Sequence, residues 1–279
     1  CSAQAVRLAL LGLALLAASI PQLHAADEPE LIPRELLFGN PDRFRGRISP
    51  GGGKVSFLAP VDGVQNVFVG PADDLDAAQP VTHDTGRGIG LYNWSSSDDY
   101  LLYLRDTGGD ENTHVHVVDL ESKEARDLTP FAGARSVIWQ TSWTHPNEIM
   151  VGINARNPQR FDPYRIDITT GQMRFLYENE DYESFVFDDE LELRLGVKRT
   201  PDGGSEIHRA DKDEEGQLTW TKIAVIPPED TRNTTLGEIA PGGDRVYMLD
   251  SRGRDKAALV KMALADGSVE VLAEDPRAD

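Results

Sequence analysis

The chain has 279 residues, 39% of them hydrophobic and 27% charged, which suits one large or two ordinary folded domains and excludes intrinsic disorder. Its 28 basic and 47 acidic side chains leave a net charge of −19, the wrong sign for binding nucleic-acid phosphates or an anionic membrane and a balance that mainly serves solubility. Cys1 is the single cysteine, so neither an internal disulfide nor a multi-cysteine metal site is available.

Residues 1–25 read as a secretory signal. Arg7 supplies the basic start, Leu8 to Ile20 is apolar or small throughout, and Ala25 offers a cleavage point before Asp27-Glu28. The apolar run is too short to span a bilayer, and a buried N-terminal helix is the alternative. Because the chain opens on Cys1 in place of Met, we expect its extreme N-terminus to be truncated. A lipoprotein reading of Cys1 is set aside, since the apolar segment follows that residue. Residues 26–47 form a Pro-rich lead-in. Pro33–Phe38 can make one helical turn, with proline at its start, and Gly39-Asn40-Pro41 ends it. Nothing in residues 27–47 reads as a good strand.

From Ile48 to Asp279 the texture is strands and turns. Ser49-Pro50-Gly51-Gly52-Gly53-Lys54-Val55 returns as Ala240-Pro241-Gly242-Gly243-Asp244-Arg245-Val246. Two further copies lie between them, around Ser97 and Pro146. The steps from Pro50 to Ser97 to Pro146 give a period near 48 residues, and Pro241 follows after two more periods. A polar turn feeding a strand at this period is the signature of propeller blades. The first blade is predicted over Val55–Leu58, Asn66–Val69, Pro80–His83 and Ile89–Tyr92. The second takes Tyr100–Arg105, His114–Asp119, Ala125–Leu128 and Ser136–Thr141. The third takes Ile149–Asn154, Tyr164–Ile168, Met173–Tyr177 and Tyr182–Phe187. The fourth opens on the alternation of Leu191, Leu193, Leu195 and Val197 with polar residues, and continues through Glu206–Arg209, Leu218–Ile226 and Thr235–Ile239. Arg245–Leu249, Ala258–Met262 and Ser268–Leu272 begin a fifth. The expected fold is therefore an all-β propeller of four-stranded antiparallel blades, four complete and part of a fifth, over residues 48–279. The missing strand suggests a chain cut short inside a larger ring.

Few residues point to chemistry. Gly203-Gly204-Ser205-Glu206-Ile207 and Leu249-Asp250-Ser251-Arg252-Gly253 each lack one glycine of a nucleophile elbow. Gly86-Arg87-Gly88-Ile89-Gly90 reads as a loop entering a strand, with no phosphate-binding context. His114-Val115-His116 places two imidazoles on one strand face, half of a possible metal site that lacks an obvious third ligand. The turn Arg105-Asp106-Thr107-Gly108-Gly109-Asp110-Glu111-Asn112 admits three readings: a structural turn with cross-strand ion pairs, a pore-facing site for a cationic group, or a calcium loop through Asp106, Asp110 and Asn112. Asp188-Asp189-Glu190 and Asp213-Glu214-Glu215 read as solvated turns. No catalytic, cofactor-binding or metal residue is assigned, and no cofactor is expected.

Leu31-Ile32-Pro33-Arg34-Glu35-Leu36-Leu37-Phe38-Gly39 followed by Ile48-Ser49-Pro50 resembles the entry to the propeller of bacterial prolyl oligopeptidase-family serine peptidases, of the dipeptidyl or acylaminoacyl peptidase-like kind. Tyr103–His114 is similar to that family's second-blade hairpin, and Phe187–Arg194 followed by Asp202-Gly203-Gly204 also fits. Gly51-Gly52 stands where many relatives carry Asp-Gly. The resemblance implies a seven-bladed propeller capping a C-terminal α/β-hydrolase domain with a Ser-Asp-His triad, the propeller restricting entry to peptides. It carries no catalytic residue over, because no matching position occurs in this sequence. The expected role is the substrate-gating propeller of an exported serine peptidase. Peptides would meet its active site through the hydrolase domain, in the periplasm or outside the cell, with no nucleic-acid partner and no membrane involvement beyond export. The alternative is a non-catalytic periplasmic propeller that binds protein partners.

Overall fold

The computed structural model describes residues 31–39 and 41–278. The expected signal segment, residues 1–25, lies outside them. Two compact units divide at Pro41 and Asp42. In the first, α1 (Arg34–Phe38) is a single short helix, with the Leu36 N–H donating to Pro33 O at 3.0 Å. Among the described residues no helix is long and apolar enough to cross a membrane.

The described part of the second unit folds into five four-stranded antiparallel sheets, each in simple sequence order. The first blade is β1 (Phe44–Ile48), β2 (Lys54–Val61), β3 (Val64–Pro71) and β4 (Gln79–Pro80). The second is β5 (Leu91–Trp94), β6 (Tyr100–Arg105), β7 (His114–Asp119) and β8 (Ala125–Asp127). The third is β9 (Ser136–Thr141), β10 (Glu148–Asn157), β11 (Arg160–Asp167) and β12 (Met173–Phe175). The fourth is β13 (Ser184–Phe187), β14 (Leu193–Arg199), β15 (Ser205–Lys212) and β16 (Leu218–Ile226). The fifth is β17 (Thr235–Ile239), β18 (Arg245–Asp250), β19 (Ala258–Ala263) and β20 (Val269–Ala273).

The all-β propeller class stands as read, but the blade boundaries fall one strand earlier than the sequence suggested. β1 pairs with β2, Ile48 opposite Val55, so the first blade has its own first strand and the fifth is complete with four. The sequence Phe-Arg-Gly-Arg-Ile hides this strand because most of it is exposed and needs no apolar alternation. β13 touches both β9 and β17, so the first strands of neighbouring blades converge on the inner side of the array.

The core lies between blades. Leu58, Val67, Ile89, Leu101 and Val118 fill the space between the first and second. Leu102, Val115, Val117, Ile149 and Val151 fill the next, so Leu101 and Leu102, adjacent on β6, bury opposite faces of one sheet. The third interface is aromatic, built on Tyr182, Phe185 and Phe187 with Trp139 and Trp220 packed against them. The fourth returns to aliphatic residues, among them Leu195, Val246, Val260 and Met262.

A repeated polar fastening holds each of the first three blades to its exit segment. Val67, Val115 and Pro163, spaced evenly at the repeat length, accept through their carbonyls from the N–H groups of Val81, Leu128 and Leu176 at 2.8, 2.8 and 3.0 Å. The residue just before each acceptor is polar. Asn66 Oδ1 accepts from the Thr82 hydroxyl at 2.9 Å and from the Asp84 N–H at 2.7 Å. His114 Nδ1 meets Asp127 Oδ2 at 2.7 Å, and Asp162 Oδ1 accepts from the Asn179 N–H at 2.8 Å. At the opposite end, turns tie blade to blade. The Gly51 N–H donates to Asp98 Oδ1 at 2.7 Å, Arg126 Nη2 to Ile168 O at 2.7 Å, and Arg209 Nη1 to Leu264 O at 3.1 Å.

Two central-strand glycines make room for the aromatic interface. A Cβ on Gly152 would lie 2.4 Å from the Trp139 ring, and one on Gly196 would lie 2.6 Å from Tyr182. We expect Gly152→Val to destabilise the fold by about 1–3 kcal/mol through overpacking, read as a lower urea midpoint. An unchanged midpoint would show that this interface has slack.

Candidate functional site

The acidic turn joins β6 to β7, one strand away from the innermost strand of its blade. Three residues there take left-handed backbone: Gly108 (φ 66°), Gly109 (φ 86°) and Glu111 (φ 61°). Its charges are spent largely on local structure. Arg87 Nη1 donates to Asp106 Oδ2 at 3.0 Å, and the Glu111 N–H donates to the same oxygen at 3.3 Å. Arg105 pairs with the buried Asp84 at 2.9 Å. Asp84 Oδ2 in turn accepts from the N–H groups of Gly86 and Gly88 at 3.3 and 2.6 Å, so the glycine-rich segment wraps a carboxylate of its own chain. Asp110 Oδ1 accepts from the Asn112 N–H at 3.1 Å, and that hydrogen bond holds the Asp110 carboxyl below its ordinary range.

Asp106 and Asp110 are thus engaged with Arg87, Glu111 and Asn112. The turn's ion pairs, Arg87–Asp106 and Arg105–Asp84, run to the connecting segment Asp84–Arg87, whereas the structural-turn reading expects them across the hairpin strands. Asp106 and Glu111 also line a cleft of about 460 Å³ with Gly90, Leu91, Arg105 and Arg135.

The paired histidines are engaged separately. His114 sits on Asp127, while His116 stacks on Tyr103 with ring centroids 5.0 Å apart. Among the described residues no three His, Cys, Asp or Glu side chains are placed to hold a metal ion. Burial pushes the His116 imidazole below its ordinary pKa, outweighing the opposite pull of Asp127.

The near-elbow serines are structural as well. Ser205 opens β15 and is buried. Ser251 is buried and donates to Asp230 Oδ1 at 2.7 Å, beside Thr234. Asp188 Oδ1 accepts from the N–H groups of Glu190 and Glu192 at 3.1 and 2.9 Å, and Asp213 Oδ1 does the same for Glu215 and Gln217 at 3.1 and 2.7 Å.

A second concavity, which motif searching does not find, lies where β1, β5 and β9 converge. It is a groove of about 440 Å³ whose wall includes Arg47, Ile48, Trp94, Trp139 and Trp143. Each of those three strands is the edge strand of its sheet. Exposed backbone donors and acceptors on such edges suit an extended chain better than a compact ligand.

His116 gives this region a pH signature. Its folded pKa lies below the unfolded value near 6.5, so the unfolded chain binds more protons. Its contribution to stability is complete above about pH 6.5 and is lost as pH falls through the folded pKa. We expect His116→Phe, which keeps an aromatic ring against Tyr103, to shrink the loss of urea midpoint between pH 7.5 and pH 5.5. Equal losses in the two proteins would assign the acid sensitivity to other groups.

No family model matches the chain. It is 40% identical over 284 aligned positions to dipeptidyl aminopeptidase BIII of Pseudoxanthomonas mexicana, covering 99% of this chain and 41% of that protein. It is 27% identical to dipeptidyl peptidase family member 6 of Caenorhabditis elegans, covering 87% of this chain and 34% of that one. The chain thus spans about two fifths or less of the length of these relatives. Among solved structures, a prolyl endopeptidase superposes with a TM-score of 0.59 at 14% identity, covering 83% of this chain and 35% of that one, a likeness of fold. The chain is an all-β array of propeller-type blades, homologous along nearly its whole length to part of a dipeptidyl aminopeptidase and similar in fold to part of a prolyl endopeptidase.

Proposed function

We propose that this propeller is the substrate-admitting body of an exported serine peptidase acting on peptides. The observation that carries this reading is the alignment with a dipeptidyl aminopeptidase along 99% of the chain. The reaction belongs to a hydrolase domain outside these residues, by attack of an activated serine, an acyl-enzyme and an oxyanion hole. The side chains here agree with a body that admits substrate without transforming it. Ser251, Asp188 and His114 are occupied in a buried hydroxyl cluster, a turn cap and an ion pair.

Admission follows from the inner strands. Their free edges offer hydrogen bonds to an extended chain, and a folded protein hides its own backbone groups from them. A seven-bladed ring, as the family resemblance implies, would enclose this passage. Export is supported by Arg7 and the apolar run Leu8 to Ile20, and a periplasmic or extracellular location follows from it.

The source gene beyond the codon for Asp279 tests the reading. We expect an open frame running through further blades into a Gly-x-Ser-x-Gly elbow followed by Asp and His. Its product should cleave short peptides and spare folded proteins, and residues 26–279 alone should turn over nothing. A stop codon at Asp279, or turnover by residues 26–279 free of contaminating hydrolases, would overturn it.

A further inference from the structure

We propose that the groove between β1, β5 and β9 docks a bulky apolar side chain of an extended, uncharged peptide segment, with Trp143 as the anchor. The proposal rests on the peptide-admitting reading above and adds which side chain the passage selects.

Trp143 is 70% exposed, yet its backbone is held from both sides. Ser142 Oγ accepts from the N–H groups of Thr144 and His145 at 3.1 and 3.0 Å. The hydroxyls of Ser142 and Thr144 both donate to Asp189 O in the next blade, and His145 Nε2 meets Glu190 at 2.9 Å. The indole is thus presented on a fixed turn, and little ordering is left for a ligand to bring about.

The turn itself does not call for tryptophan. The residue after the corresponding cap is Pro50, Ser96, Asp189 and Pro241 in the other four blades. Small, polar or rigid residues serve there, whereas a large exposed ring keeps apolar surface in water with no gain to the fold. Ile48, 69% exposed, faces the same groove and extends the apolar surface.

Trp94 supplies an independent observation. It is 8% exposed and lines the groove, and its indole N–H is buried with no acceptor among the described residues. That N–H is closed off from solvent, so what Trp94 adds to the groove is apolar ring wall. Arg47 is the one charged side chain among the described lining residues, and its guanidinium lies 5.8 Å from the Tyr92 ring centroid. The wall therefore offers apolar surface and hydrogen bonds, with no carboxylate to receive an ammonium group.

Calorimetric titration of the full chain with two capped probes tests this. The probes are N-acetyl-Leu-Phe-Leu-amide and N-acetyl-Ser-Gln-Ser-amide. We expect the apolar probe to bind at least about tenfold more tightly, and Trp143→Ser, the residue type of Ser96, to remove about tenfold of that affinity. Trp143→Phe should retain most of it. The variants should keep the parent's melting temperature within a degree or two, since Trp143 is exposed. Equal affinity for the two probes, or no binding of either, would overturn the proposal, and the reading-frame experiment would still decide the peptidase reading by itself. Apolar-probe binding that Trp143→Ser leaves unchanged would overturn the groove as the site while leaving peptide admission standing.

Discussion

The second, third and fourth sheets bury apolar side chains on both faces, so none of these blades has a core without its neighbours. Leu101 and Leu102 on β6 show the constraint most directly, one turned to the first interface and the other to the second. The same holds on β10, where Ile149 and Val151 face the second blade and Met150 faces the fourth. Stability is then shared along the array in the manner of repeat proteins, where each unit rests on the adjoining one. A steady interval between blades is the consequence in sequence. Equivalent strands must meet equivalent surfaces, so the fastening carbonyls of Val67, Val115 and Pro163 recur at one spacing.

That constraint also decides where polar chemistry goes. A blade must return its chain from the outer strand to the inner strand of the next, across the end of a packed interface. Main-chain groups buried there need partners. Asn66 and Asp162 supply them directly, while His114 at the same repeat position holds Asp127, whose other oxygen accepts from the Thr129 N–H. Asp84 and Ser251 are drawn into the same work. Residues that look reactive in isolation are thereby enlisted in holding the chain between blades.

Much of the fold was legible in the sequence because turns and middle strands obey strict local rules. The two-residue Asp62-Gly63 turn takes positive φ at both positions, as its hairpin demands, and the glycine-rich entry turns recur in register. The first strand escaped because its exposed, arginine-rich residues carry no burial pattern. One missed strand at the start moved every blade boundary by one. The fastening residues escaped for a different reason: their role is set by position, and amide, imidazole and carboxylate share no chemical type to search for. The groove was hidden further still. Trp94 and Trp143 both stand in the repeated segments, but only the convergence of three inner strands brings them to one wall.

The aromatic interface and the groove are one piece of architecture. Trp139 lies over Gly152 and stacks on Phe187 with centroids 6.0 Å apart, and its ring also forms part of the groove wall. Tyr182 and Trp220, 4.2 Å apart, close the other side of that packing over Gly196. The second and fourth interfaces bury aliphatic residues in the same role, so large rings are not needed merely to join two blades. Rings have a property that leucine and valine lack: a rigid plane long enough to be buried at one end and presented at the other. Between the third and fourth blades this lets the interface extend to the wall of the groove. A surface so built is held by core packing on one side and by the Ser142–Asp189 contact on the other. It is therefore preorganised in the sense that recognition requires, and its shape is a direct consequence of the two glycines that admit the rings.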